Sequence, residues 1–242
     1  MRSPLNSWRS WGMAWALIAG AMVVSEFTSI DLWVQDLFFD ETTGGWMAGR
    51  RDAMPRALFY TGPKYVIILL GVGLLTLWGG KQAWRERCGV SRRNLGVALL
   101  VIGLVPTFIG FLKGATGVYC PWDIRRYGGP APYVRVLERH PENDRPDYEG
   151  RGFPAGHASG GFALIGLLAL AKTSQQRKAV WGIALAMGWW MGTYQLAKGA
   201  HYISHNFVTM GIAWLVYVPI QRWVGDQTES NREGANEKAI NG

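Results

Sequence analysis

Phe153-Pro154-Ala155-Gly156-His157-Ala158-Ser159-Gly160-Gly161 is a polar turn that runs directly into an apolar block, Phe162 to Ala171. Pro fixes φ and Gly supplies backbone freedom, which suits a turn. A helix beginning near His157 would aim its unpaired N–H groups and positive dipole end into that turn, where an anion is welcome. The small residues around His157 let a bulky anion approach the backbone. The same stretch also reads as an ordinary helix start entering a membrane, with His157 as an interfacial polar residue.

Two further segments weigh on that choice. Upstream stands Lys113-Gly-Ala-Thr-Gly-Val-Tyr119-Cys120-Pro121-Trp122-Asp123, and downstream Tyr194-Gln195-Leu-Ala-Lys198-Gly199-Ala200-His201-Tyr202-Ile203-Ser204-His205. In order, the three segments resemble the signature of the type 2 phosphatidic acid phosphatase (PAP2) superfamily, which reads Lys-x6-Arg-Pro, Pro-Ser-Gly-His and Ser-Arg-x5-His-x3-Asp. Lys113 and Pro121 keep the spacing of the first motif, Pro154, Gly156 and His157 that of the second, and Gly199, His201 and Tyr202 that of the third. The departures are Cys120 for Arg, Ala155 for Ser, Tyr194 and Gln195 for Ser-Arg, and His205 for Asp.

Composition bounds the architecture. The chain has 242 residues, 49% of them hydrophobic, with 13 Trp and 32 Gly, and one domain is expected at this length. Apolar residues fall in long blocks: about Trp11–Phe27, Lys64–Trp78, Leu95–Leu112, His157–Ala171, Val180–Leu196 and Phe207–Ile220. They predict an all-α bundle of six transmembrane helices over residues 1–224, with a polar, disordered cytoplasmic tail over 225–242. Ile30–Phe39 reads as an amphipathic helix lying on the membrane surface. The net charge of +8 belongs to loops between blocks and not to a nucleic-acid site: Lys81–Arg93 holds five basic residues and one acid, an inside-facing loop. Arg2 and Arg9 put the amino terminus on that same side. No cleavable leader is expected, because acidic and bulky residues follow the first block. The long segment Lys113–Gly156, with seven basic residues and six acids, is then extracytoplasmic. Cys88 and Cys120 fall on opposite faces, so no disulfide is expected. Three of the four histidines, His157, His201 and His205, gather in the motifs at one membrane level, which favours a shared polar site.

The resemblance implies chemistry without a metal or organic cofactor. His201 would be a nucleophile forming a phosphohistidine, and His157 the general acid–base. Lys113 and the Ala155–Gly156 backbone would bind the phosphate. His205, replacing Asp, would accept a hydrogen bond from His201 without offering a charge. Arg125, Arg126 and Arg151 are candidates to replace the missing arginines. The implied substrate is a lipid phosphate, namely phosphatidate-type, polyprenyl or lipid A, held among membrane lipids at the periplasmic face of a bacterial-type inner membrane. Two other readings stay open. His201 and His205 at i and i+4 would share a metal ion if that segment is helical. A fold that has lost turnover would still bind lipid phosphate.

Overall fold

The computed structural model describes residues 8–49, 52–141, 143–144 and 146–240, the side chains of residue 8 and of 223–240 excepted. Arg2 therefore lies outside the described residues. Among the described residues nine α-helices dominate: α1 Trp8–Phe27, α2 Ile30–Asp36, α3 Ala53–Arg56, α4 Gly62–Gly79, α5 Gln82–Cys88, α6 Arg92–Thr116, α7 Gly156–Ala163, α8 Ser174–Ala197 and α9 Ile203–Ile240. A two-stranded hairpin, β1 Phe39–Asp40 with β2 Gly45–Trp46, interrupts them.

Local chemistry sets the boundaries. The Ser91 hydroxyl accepts the Asn94 N–H to start α6, and Thr173 with Gln176 forms a reciprocal cap on α8. Among the described residues four helices are long and apolar enough to cross a membrane: 9–27, 53–79, 92–123 and 203–222. The block expected as the fourth span is shorter, α7 followed by a 3-10 stretch over Leu164–Leu170. The fifth expected span lies within α8, which is long, but polar residues lower its hydropathy.

The outer surface is apolar where these helices face outward. On α4 only Ile67 and Leu74 are buried, while Val66, Ile68, Leu69, Val72 and Leu75 are exposed. A water-facing helix would show the reverse polarity; hydrocarbon is the solvent such a face suits. Inside, α9 packs along α1, α7 along α8, and α6 against α4, α7 and α9. Glycines permit the closest approaches. A Cβ on Gly161 would strike the Gly188 backbone, and one on Gly166 would stand 2.9 Å from Val101 Cβ. Such contacts hold helices together where hydrocarbon offers no hydrophobic drive.

Two expectations change. The amphipathic helix is the seven-residue α2, and it buries its polar face: Asp31 and Gln35 point into the protein, while Ile30, Trp33 and Leu37 are exposed. The tail expected to be disordered continues α9 as helical backbone as far as Ile240. Extending an existing helix needs no new nucleus, so weak helix formers suffice.

Candidate active site

The turn between α8 and α9 carries His201, and many bonds hold it. Gly199 closes α8 with a left-handed φ of 73°, and its N–H and that of Ala200 cap the Leu196 and Gln195 carbonyls. The Gly199 carbonyl accepts the Trp122 N–H at 2.9 Å, and Ala197 O accepts the Ala48 N–H at 2.9 Å. The Trp46 ring lies so close that Gly199 has no room for a Cβ. Hairpin and long loop thus both brace this turn.

His201 is 1% exposed. Its Nδ1 lies 2.7 Å from the Gly152 carbonyl, and its Nε2 lies 3.2 Å from His157 Nδ1. A carbonyl only accepts, so Nδ1 of His201 carries the proton and Nε2 of the neutral ring keeps its lone pair. His157, at the start of α7, donates its Nδ1–H to that lone pair. His205 Nδ1 lies 2.9 Å from the same Gly152 oxygen. His205 therefore does not accept from His201, contrary to the expectation from its place in the sequence. Both rings donate to one carbonyl, and Gly152 performs the orienting task. Gly152 is itself pinned: its N–H reaches Val118 O at 2.6 Å, and a Cβ would stand 2.9 Å from Tyr119 O.

Positive charge converges from several elements. Lys113, near the end of α6, lies across Gly156, where a Cβ would stand 3.1 Å from its Cδ and 3.4 Å from its Nζ. Ammonium and helix start thus coincide at the first residue of α7. Ala155, fully buried, passes its carbonyl to the Thr209 hydroxyl at 3.3 Å. The cations bearing on the His157 ring are Lys113, Lys198, Lys64 and Arg56. Arg151 is close enough for its charge to be felt at Lys113. Lys198 Nζ sits 5.6 Å above the Tyr194 ring and 5.9 Å above Trp122.

Arg56, Lys64 and Tyr60 were not foreseen from the motifs. A π-helical turn, Ala57–Thr61, joins α3 to α4 and sets Tyr60 edge-on against His157, centroids 4.8 Å apart. Such turns often mark functional positions. Lys64 follows one turn later. Beside it opens a cavity of about 300 Å³ walled by Ile67, Ile102, Pro106, Gly160 and Met191, with His157 and Lys64 among its lining. It is mostly apolar and touches the histidine directly.

Arg125 and Arg126 stand elsewhere. Arg125 pairs with Asp144, and Arg126 grips Asp36 on α2 through two bonds of 2.9 and 2.7 Å. Their forks are taken by carboxylates, because the loop folds back on itself and onto α2. Arg125→Ala is expected to leave phosphate release within about twofold of the parent, since exposed pairs of this kind contribute little; a release assay checks it.

The i, i+4 spacing of His201 and His205 is not helical, because α9 begins at Ile203. Among the described residues no group of three His, Cys, Asp or Glu side chains is placed to hold a metal ion. Cys88 is exposed and Cys120 buried, and no disulfide joins them among the described residues.

Burial first, then Lys113 and the neighbouring histidines, holds His201 well below its ordinary 6.5. The unfolded chain takes up a proton there that the folded one refuses. Stability is therefore complete above about pH 6.5 and falls as pH drops below it, by up to about 1.4 kcal/mol per pH unit for each such group. Melting temperatures of detergent-solubilised protein, taken downward from about pH 7.5, are expected to fall, and less steeply in His201→Asn.

Fold and site together describe a helical membrane protein with a cationic histidine centre. The PAP2 superfamily model matches residues 94–229, more than half of the chain, and the chain belongs to that superfamily. Its members are phosphatases and phosphotransferases, so membership carries a phosphatase-type function in a membrane setting. Comparison with curated proteins and with solved structures gives no significant match. Arg56 and Lys64 fall outside the matched region.

Proposed function

We propose that this protein hydrolyses a lipid phosphate monoester or pyrophosphate through a phosphohistidine on His201, at the outer face of a membrane crossed six times. What chiefly supports the reading is one juxtaposition: His201 Nε2, free of a proton, meets His157 at the mouth of an apolar cavity. The phosphoryl group enters between the two rings. His201 Nε2 attacks phosphorus as the bond to the lipid oxygen breaks, and His157, protonated on both ring nitrogens once the phosphate anion is bound, gives that oxygen one proton and is left neutral. Water then attacks the phosphohistidine, His157 takes the water proton, and the P–N bond breaks. Another acceptor alcohol in place of water makes the same chemistry a transfer.

Lys113, Lys198, Lys64 and Arg56 with the start of α7 supply the positive field that a phosphoryl transition state needs. They stand in for the arginines that the family pattern has at Cys120 and Gln195. The cavity receives the hydrocarbon chain, a phosphatidate, polyprenyl or lipid A tail. The six spans are α1, α4, α6, α7 with its 3-10 extension, α8 and α9, with both termini inside. The meeting of Lys113, His157 and His201 supports that alternation, since the end of α6, the start of α7 and the end of α8 then share one face.

The test is phosphate release by detergent-purified protein from a panel of lipid phosphates, with and without EDTA. Release that survives EDTA and vanishes in His201→Asn is expected. Release abolished by EDTA and restored by Zn²⁺ would overturn the reading. A second reading, lipid phosphate binding without turnover, is favoured by the neutral replacements Cys120 and Gln195. It predicts saturable binding of a lipid phosphate with no release.

A further inference from the structure

Helix α2 carries a buried carboxylate that the mechanism does not use. Asp31 is 3% exposed, and its Oδ1 accepts the Ser204 N–H at 3.0 Å while its Oδ2 accepts the Ser204 hydroxyl at 2.6 Å. Among the described residues no ion pair to it is seen. A carboxylate is costly to bury without a cation. Here its neighbour is the amino-terminal end of α9, whose free N–H groups and positive dipole end compensate it. Ser204 is the second residue of α9 and lies three residues beyond His201.

One helical turn further along α2, Gln35 is fully buried and donates its Nε2–H to Leu196 O at 2.7 Å, on the other flank of the same turn. Two side chains of a single short helix thus hold residues 196 and 204, the two ends of the segment that presents His201. The helix is fixed in turn by Arg126 and by Tyr127, whose hydroxyl reaches Asp36 at 2.8 Å. Its opposite face, Ile30, Trp33 and Leu37, is exposed.

We propose that α2 is a clamp for the nucleophile, with Asp31 and Gln35 as positioning residues that hold the 196–204 turn so that His201 keeps its Nε2 toward the phosphoryl group. The inference rests on the phosphohistidine reading for its kinetic consequence, but not for its structural one. An error of about 1 Å in the placement of a reacting group costs on the order of 10²-fold in rate. Releasing one end of the turn acts on the transition state and leaves chain binding in the cavity alone.

The experiment compares Asp31→Ala, Asp31→Asn and Ser204→Ala with the parent in two readouts. The first is kcat and KM for the lipid phosphate that the parent hydrolyses. The second is the rate at which diethyl pyrocarbonate modifies His201, followed by peptide mass and independent of turnover. For Asp31→Ala, kcat is expected to fall about 30- to 100-fold, with KM within about twofold and His201 modified several times faster. Asp31→Asn keeps an oxygen for the Ser204 N–H and is expected to recover most of kcat. Ser204→Ala, which removes only one bond, is expected to fall between them and serves if Asp31→Ala fails to fold. Parent-like kcat and parent-like His201 modification in all three variants overturns the clamp. A parent that releases no phosphate overturns the phosphatase reading instead, and faster modification of His201 in the Asp31 variants then still upholds the clamp.

Discussion

His201→Asn is expected to lower phosphate release by about 10⁴-fold or more, the scale seen when a covalent nucleophile is removed. Asparagine is the demanding substitute. Its amide can still donate to Gly152 O, where His201 Nδ1 donates at 2.7 Å, so the fold around the turn is kept. What disappears is the unprotonated Nε2 that faces His157 at 3.2 Å. Binding of the lipid is expected to persist, because Lys113, Lys64 and the cavity are untouched. Brief incubation with a phosphate-labelled lipid, quenched in base, is expected to trap an acid-labile phosphoprotein in the parent and none in the variant. Release above about a tenth of the parent rate would move the nucleophile to another residue.

Gly199→Ala is expected to cost about 2 to 4 kcal/mol of stability and more than about 10²-fold in activity. Two independent demands meet at this position. Its φ of 73° is one an L-residue with a Cβ adopts at a cost, and its free side is filled by the Trp46 ring. An added methyl must push either the indole or the backbone. The indole is held in a cluster with Phe39 and Tyr127, so the backbone yields. Movement there shifts the carbonyl that accepts from Trp122 and carries His201 with it. Trp46→Ala in the same background gives the methyl space and is expected to recover part of the stability loss, but not the part due to φ. A Gly199→Ala protein with parental melting temperature and rate would mean that the turn is held less tightly than its bonds indicate.

Much of this was legible in the chain because the signals are strong ones. Apolar blocks of 14 or more residues can be little else than buried or membrane helices, and the blocks at Trp11, Lys64, Leu95 and Phe207 each lie within a helix long enough to cross. Lys113, His157 and His201 were found by motif and lie together around the start of α7. Arg125 and Arg126 turn away from the site for a physical reason. Nearness in sequence to Pro121 says nothing of where a planar fork turns, and the carboxylates that claimed Arg125 and Arg126 lie at 144 and 36, one of them 90 residues away. Arg56 and Lys64 escaped because no motif contains them. A signal existed nonetheless: they are basic residues at the end of a span that the proposed topology puts on the outer face, where charge bias disfavours them, and such a position asks for a reason. The inward polar face of α2 was hidden because periodicity shows that a helix has two faces, not which one meets protein when the surroundings are lipid.

The carbonyl of Gly152 has a bearing on how this branch departs from its superfamily. An oxygen that takes two N–H bonds, from His201 and His205, is satisfied only while both neighbours bring protons. The aspartate that the family pattern has at position 205 brings none. Set against Gly152 as a carboxylate it would place one acceptor against another at a buried position. Histidine at 205 and the main-chain turn at 152 therefore suit each other. His205→Asp alone is expected to lower the melting temperature, so the usual side chain returns without loss only if position 152 changes with it.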